Sequence, residues 1–400
     1  MLGLKVDTPS HVPQHLVFDF DFFKPEGSDD IHLAWKRLHE VAPSIFWTPR
    51  NGGHWVATRA ADIEVMQTDF SRFSNKQMTL PILPTPYPLL PVALDPPDHT
   101  AFRLLIAPAF APAATRKLTE KARDIAIELT EQIAPRGYCE FVGEFAKILP
   151  IVVFLSIFDL PPEDRTILVP LGEDIVRSFD ATRKAAAYGA VAKYLTQWIE
   201  RRTKEPGTDL MSRIVHGSVN GRPLTAPEKL GLCALVLSGG LDTVAGMLTY
   251  SIGYLAGRPD LRRELIEHPE LIPVAGEELM RRHGLSNTAR QILHDLEYQG
   301  IFFKQGDMVQ LPRALYSLDE RLIPDPLSVD FHRPQPVPNA TFGAGVHKCV
   351  GAMLARGEMR VVLEEWLKRI PDFQIKPETK LKGSSGVVIG ANSLELIWNS

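Results

Sequence analysis

The chain has 400 residues, 44% of them hydrophobic, and a formal net charge of −4. That length permits a large buried core, and the near-neutral balance excludes nucleic acid as the main partner, since phosphate binding calls for a basic face. The three cysteines, Cys139, Cys233 and Cys349, are odd in number, far apart and in no C-x-x-C pattern, which excludes a disulfide framework or zinc ribbon and fits a reducing cytoplasm.

The opening stretch MLGLKVDTPSHVPQHLVFDFDFF lacks a basic segment followed by a long apolar run. Neither a signal peptide nor a membrane anchor is expected, and no later stretch is read as spanning a bilayer. Residues 30–41 have the apolar spacing of an amphipathic helix. SIFWTPRNGGHWVATR alternates around Asn51-Gly52-Gly53, a hairpin signal. A short helix is expected near 61–69. The loop 81–91, PILPTPYPLLP, is forbidden to helix by its prolines. It reads either as a surface connector or as a stiff pocket wall carrying one polar hydroxyl, that of Tyr87.

Asp95-Pro96-Pro97-Asp98-His99 opens a helix with prolines and acids in its first turn. His99 and Arg103, four apart, share a face of it, as either a surface pair or an anion site. From there to about Gly257 the chain is mainly helical, with spans near 113–134, 142–158, 162–179, 183–204 and 226–257. The last is apolar nearly all round and is expected to be buried through the centre of the molecule. Shorter helices are expected at 259–267 and 271–283. LEYQGIFFKQGDMVQLPR reads as a hairpin, residues 350–368 as a long helix, and the tail after them as strand-rich. No internal repeat or low-complexity linker divides the chain, so residues 1–400 are read as a single domain, mainly α with small β-sheets.

Three stretches carry chemistry. In Thr341-Phe342-Gly343-Ala344-Gly345-Val346-His347-Lys348-Cys349, two glycines free to take positive φ turn the backbone around one cysteine at the start of a helix. Unpaired amides and the macrodipole there favour a thiolate, a plausible axial ligand for an iron porphyrin. The central helix contains Gly239-Gly240-Leu241-Asp242-Thr243. Its glycine pair either permits close packing or opens the helix beside a flat cofactor, and a buried acid there is costly unless paired or used. Glu278 and Arg281, at i and i+3, are an ordinary pair on their own. With Arg333 they suit a buried network tying the cysteine loop to a helix. Gly343-Ala344-Gly345 only begins like a dinucleotide fingerprint, because Lys348 fills the third glycine position and no βαβ unit surrounds it.

In this order and spacing, the three stretches resemble the cytochrome P-450 family of haem-thiolate monooxygenases. The cysteine signature is matched at Phe342, Gly343, Gly345, His347, Cys349 and Gly351, and GGLDT and ELMR match the oxygen-activating and E-x-x-R motifs. The similarity covers essentially the whole chain and is closest to bacterial camphor hydroxylases. It implies haem b between a distal central helix and a proximal cysteine loop. By that resemblance Cys349 ligates iron, with Phe342 and Gly343 in its loop, and His99, Arg103, Arg290 and His347 hold the propionates. Gly239, Gly240, Asp242 and Thr243 form the oxygen pocket, and Tyr87, Leu235, Ser238 and Val388 line the substrate site. Glu278, Arg281 and Arg333 form the structural network.

The resemblance further implies a cytoplasmic monomer that hydroxylates an unactivated C–H bond of a small apolar substrate with O2. Its electrons come from an iron–sulfur ferredoxin served by a separate reductase. The basic residues Arg103, Lys348 and Arg356 read either as steering charges for such an acidic partner or as ordinary solvated charges. Ser238, Ser286, Asn287 and Thr288 depart from the camphor enzymes, and prolines flank Tyr87 on both sides, so the expected substrate is a small cyclic terpenoid or norisoprenoid ketone rather than camphor itself. The other readings are a peroxide-driven or non-oxygenating haem-thiolate enzyme and a non-catalytic haem-binding carrier or sensor.

Overall fold

The computed structural model describes residues 5–399 apart from Leu83, Ser178 and Phe179. Helices form most of it. Those that position the site are α1 (Ala60–Thr68), α2 (Asp98–Ile106), α3 (Pro112–Ile133), α4 (Ile148–Ile157), α5 (Ala181–Lys204), α6 (Ala226–Leu241), α7 (Thr243–Ala256), α8 (Ile272–Arg282) and α9 (Ala352–Arg369). Helix α6 starts at a capping box in which Thr225 and Glu228 satisfy each other's backbone amides, with Pro227 in the first turn. Asp180 caps α5 through the amides of Thr182 and Arg183.

The largest sheet contains β1 (Ile45–Thr48), β2 (His54–Ala57), β3 (Phe73–Ser74), β4 (Asn287–Ile292) and β5 (Met308–Pro312), in the order β1-β2-β5-β4-β3. The β1–β2 hairpin turns at Asn51 and Gly52, both at positive φ. Strand β5 runs parallel to β2 and antiparallel to β4, pairing Val309 with Arg290 and Leu311 with Thr288. The expected hairpin at 296–313 is therefore divided. Leu296–Tyr298 and Ile301–Phe303 turn tightly on Gln299-Gly300, both at positive φ, whereas β5 leaves them for the main sheet. The expected 142–158 helix is also divided, into a π-turn at Val142–Ala146 followed by α4.

The region 226–257 is interrupted at Asp242, with α6 ending at Leu241 and α7 starting at Thr243. By length and composition Ala226–Ala256 would suffice to cross a membrane, contrary to the expectation that no stretch would, but 71% of its most apolar window is buried inside the protein. It is the core helix pair. Helix α7 packs on α9, α9 on α3 and α8, and α6 on α4 and α5. Trp366 of α9 is fully buried and meets Phe141, Phe145, Phe373 and Trp398 edge-on.

Candidate active site

Cys349 ends a tight turn. Its amide donates to the Phe342 carbonyl at 2.8 Å, and the Gly343 amide donates to Ala340 at 2.9 Å. Gly343 and Gly345 have φ of +66° and +63°, where a side chain would be strained. The helix starts later than its apolar spacing suggested: α9 begins at Ala352 with Gly351 as N-cap. Cys349 thus lies just before the helix, in the turn that leads into it. Burial pushes its thiol up, while the Gly351 amide and the charges of Arg103, Arg313 and Arg356 pull it down. Arg356 sits 4.5 Å over the Phe342 ring and forms a two-pronged pair with Glu277.

The loop is tied to α8 by a saturated network. Glu278, fully buried, accepts from Arg281 Nε at 2.7 Å and Nη2 at 2.8 Å, and from Arg333 Nε at 2.8 Å. Arg281 also donates to the carbonyls of Ser317, Pro326 and Ser328, and Arg333 to those of Pro324, Asp325 and Ser328. The Thr341 hydroxyl, at the head of the cysteine loop, donates to the Met280 carbonyl at 3.0 Å. A carboxylate shared by two forked guanidiniums with their remaining donors engaged is the geometry in which buried charge is tolerated.

A second group, of basic residues that are buried or half-buried, has no acid partner among the described residues. His99 and His347 face each other with ring centroids 4.3 Å apart. His99 Nδ1 and both His347 nitrogens are buried and without a hydrogen-bond partner among the described residues. Arg103 donates to the Lys348 carbonyl at 2.5 Å, and Arg290, 2% exposed, donates to its neighbour's carbonyl. Burial and the nearby charges of His99, Arg290, Arg103 and Arg313 hold the His347 imidazole neutral, down at about 3. Arg313 was not anticipated. It follows the apolar β5 in the run LPRAL, where a lone charge between two buried segments was the available signal.

On the opposite side, the glycine pair divides its two readings between its members. A Cβ on Gly240 would fall 1.9 Å from the Phe154 ring, so Gly240 serves close packing of α6 on α4. One on Gly239 would meet nothing within 4 Å. Beyond the break the Thr243 hydroxyl donates back to the Gly239 carbonyl at 2.8 Å, leaving its oxygen free to accept. Asp242, 7% exposed, occupies the break itself. Leu235 accepts the Ser238 hydroxyl through its carbonyl at 3.1 Å. Val388 forms a bridge with Ser286, and Asn287 is buried, joining β4 to the chain at Gly386 and Val387. Between Pro84 and Leu89 only Tyr87 is buried; it packs edge-on against Tyr188 of α5 at 6.0 Å. A Cβ on Gly231 would lie 2.1 Å from the Pro88 carbonyl, so the loop rests directly on α6. Tyr188 and Gly231 were not anticipated, because neither lies in a motif.

Buried bases without acids call for an anionic guest, and a lone thiol beside them offers one soft ligand. Haem b, with two carboxylates and an iron that accepts a thiolate, satisfies both, and the class so defined is the haem-thiolate oxygenases. The chain belongs to the cytochrome P450 family, whose model matches residues 138–396. It is 33% identical, over 98% of its length and 96% of the relative's, to a protein described as a probable cytochrome P450 127A1 of Sinorhizobium fredii. It is 32% identical to the mycinamicin IV hydroxylase/epoxidase of Micromonospora griseorubida, over 90% of this chain and 94% of that one. Among solved structures it is similar to CYP101J2, with a TM-score of 0.91 and 39% identity over 99% of this chain and all of that one. CYP101C1 gives a TM-score of 0.90 and 37% identity over 98% of this chain and all of that one. The protein is therefore a P450 monooxygenase that uses O2 and an electron-transfer partner.

Proposed function

We propose that residues 1–400 form one monooxygenase domain that hydroxylates a small cyclic terpenoid or norisoprenoid ketone. Haem bound through a thiolate supplies dioxygen activation and insertion of one oxygen atom into a C–H bond. Cys349 is the proposed ligand. Its turn, tied through Thr341 to α8 and the Glu278 network, restricts the movement of the thiol. His99, Arg103, Arg290 and His347 receive the two carboxylates of the cofactor. The observation that carries the distal assignment is the break at Asp242, with Gly239 open and the Thr243 hydroxyl turned to the Gly239 carbonyl. In that position the Thr243 oxygen would accept a hydrogen bond from a water in the pocket and hold it there, and Asp242 would pass protons to it from outside the pocket.

The substrate assignment rests on Tyr87, buried between the exposed residues Pro86 and Pro88 in the core cluster, with one hydroxyl suited to a carbonyl oxygen. Burial pushes that phenol up, so it stays a neutral donor. Leu235, Ser238 and Val388 complete the proposed lining. Electrons come from an acidic iron–sulfur ferredoxin with its own reductase, acting on a cytoplasmic monomer. Its docking face is the 660 Å³ groove between α3, α8 and α9. Arg356, Arg123 and, at the longer distance of 3.9 Å, Arg360 there are already paired with acids, which shifts the steering role to Arg116.

Titration of the ferric protein with a panel of terpenoid ketones tests the substrate class through the low- to high-spin shift. A shift only with fatty acids or large polycycles rejects it. Product formation that needs peroxide and ignores reduced ferredoxin rejects the donor and favours the peroxide-driven reading.

A further inference from the structure

Arg313 is 8% exposed and lies where three parts of the site meet. Its backbone amide donates to the Ser286 carbonyl at 2.9 Å. Nη1 donates to Gln67 Oε1 of α1 at 2.7 Å, and Nη2 to Thr288 Oγ1 of β4 at 3.3 Å. From the cysteine loop, Gly343 lies over the guanidinium so closely that a Cβ there would be 2.9 Å from Nη1. None of these partners is an acid. Gln67 turns its amide nitrogen to Glu64 Oε2 at 2.7 Å, which fixes its oxygen towards Arg313 and interposes one neutral amide between the guanidinium and that carboxylate. Arg290 is near enough to be repelled. Burial and Arg313 together hold Arg290 down to about 9, and burial holds Arg313 down to about 10. Asp95, the acid nearest Arg290, is engaged by the Ser74 hydroxyl and the Asn75 amide. Among the described residues neither guanidinium has an ion-pair partner, whereas the buried Arg281 and the half-buried Arg333 share one, Glu278.

Two unpaired buried guanidiniums beside each other are unfavourable without a resident anion. The haem of this family brings two carboxylates, while Arg103, His99 and His347 already stand in the same cluster. We propose that Arg313 is a further haem-carboxylate residue, and that with Arg103 and Arg290 it leaves the cluster one positive charge in excess of the two carboxylates, which favours addition of the electron to the ferric haem. Gln67 is then a positioning residue: it holds the guanidinium by an acceptor that carries no charge.

The test needs neither the substrate nor the electron donor of the proposed reaction, so its failure leaves that reading standing. The midpoint potential is measured by spectroelectrochemistry, and haem retention by the rate of transfer to excess apomyoglobin, for Arg313→Gln, Arg313→Lys and Gln67→Glu. Arg313→Gln is expected to lower the potential and to speed haem transfer about tenfold or more, the loss of a charged hydrogen bond. Arg313→Lys should retain most of the potential. Gln67→Glu keeps the shape of the side chain and supplies the missing acid, so it should lower the potential without loss of the thiolate carbon-monoxide spectrum. A purely structural Arg313 would lower the melting temperature in Arg313→Gln and leave the Gln67→Glu potential unmoved. That unmoved potential overturns the proposal, including where Arg313→Gln fails to fold.

Discussion

The two sides of the active site are built on opposite principles. Beneath the cysteine loop, Glu278, Arg281 and Arg333 satisfy one another and six carbonyl contacts, and the loop is pinned by Phe342, Thr341 and Ala340. On the other side, the proline-rich loop 81–91 meets α6 where Pro88 lies against Gly231 and α5 where Tyr87 packs edge-on against Tyr188. The lower side resists change because each loss leaves a buried charge. The upper side can be re-aimed at small cost. The first side is thus held by ionic saturation, whereas the contacts of Pro88 with Gly231 and of Tyr87 with Tyr188 on the second are van der Waals contacts.

The contrast is broken most severely at Glu278. Glu278→Ala leaves Arg281 fully buried without its acid, a change expected to cost about 3–5 kcal/mol. Chemical denaturation of the variant should show that loss, together with failure to give the thiolate carbon-monoxide spectrum; a variant that melts like the parent would show that the carbonyls alone suffice. Acid reaches the same framework by a different route. His32 is buried against Tyr250 and His283, with ring centroids 4.8 and 5.3 Å away, and Nε2 bonds the Gly284 carbonyl just beyond α8. Burial first, then Arg282, lowers it from 6.5 to about 4, with Asp30 opposing. The neutral form is favoured by folding, so stability is full above pH 6.5 and is lost as pH falls towards 4. The loss is on the order of 3 kcal/mol at the low end. His32→Gln should reduce the dependence of the melting temperature on pH across that window by its own share, the rest coming from His39, His54 and His283, which burial also holds down.

The lower side was legible in the sequence because its parts are local. The glycines at 343 and 345, the i, i+3 spacing of Glu278 and Arg281, and Arg333 ahead of the loop each have a meaning within a few residues. Strand β4 was not legible. NTARQI is polar along most of its length, yet Asn287, Thr288 and Arg290 are buried because the chain at 386–387, Arg313 and the cofactor cluster cover them. A polar strand buried by a site has no period-2 hydrophobic signal to read. The apolar run 226–257 showed a buried helix but not how its glycines divide, since Phe154 lies more than eighty residues away in sequence.

That division predicts a smaller effect. Gly240→Ala drives a methyl group into Phe154 and should cost about 1–3 kcal/mol. Gly239→Ala meets nothing, gains helix propensity and should be neutral or stabilising by up to about 1 kcal/mol. Urea unfolding of the pair measures the difference directly. Equal effects would mean that α6 shifts to absorb either methyl.

The smallest expected change in stability, and the sharpest test of the proline-rich loop, is at Gly231. Its added methyl would meet the Pro88 carbonyl at 2.1 Å, and that carbonyl belongs to an exposed loop able to lift. The helix gains up to about 1 kcal/mol from alanine, which offsets much of the lost loop contact, so global stability should change by less than about 1 kcal/mol. Lifting Pro88 also carries Tyr87 away from Tyr188. Ketone binding, followed by the spin shift, should then weaken several-fold in Gly231→Ala, while binding of the corresponding hydrocarbon weakens less. Tyr188→Phe keeps the edge-on ring contact and should leave the position of Tyr87, and hence the ketone preference, close to that of the parent. A Gly231→Ala protein that binds both ligands like the parent would show that the loop contact with α6 does not position Tyr87, and that ring packing on α5 alone suffices.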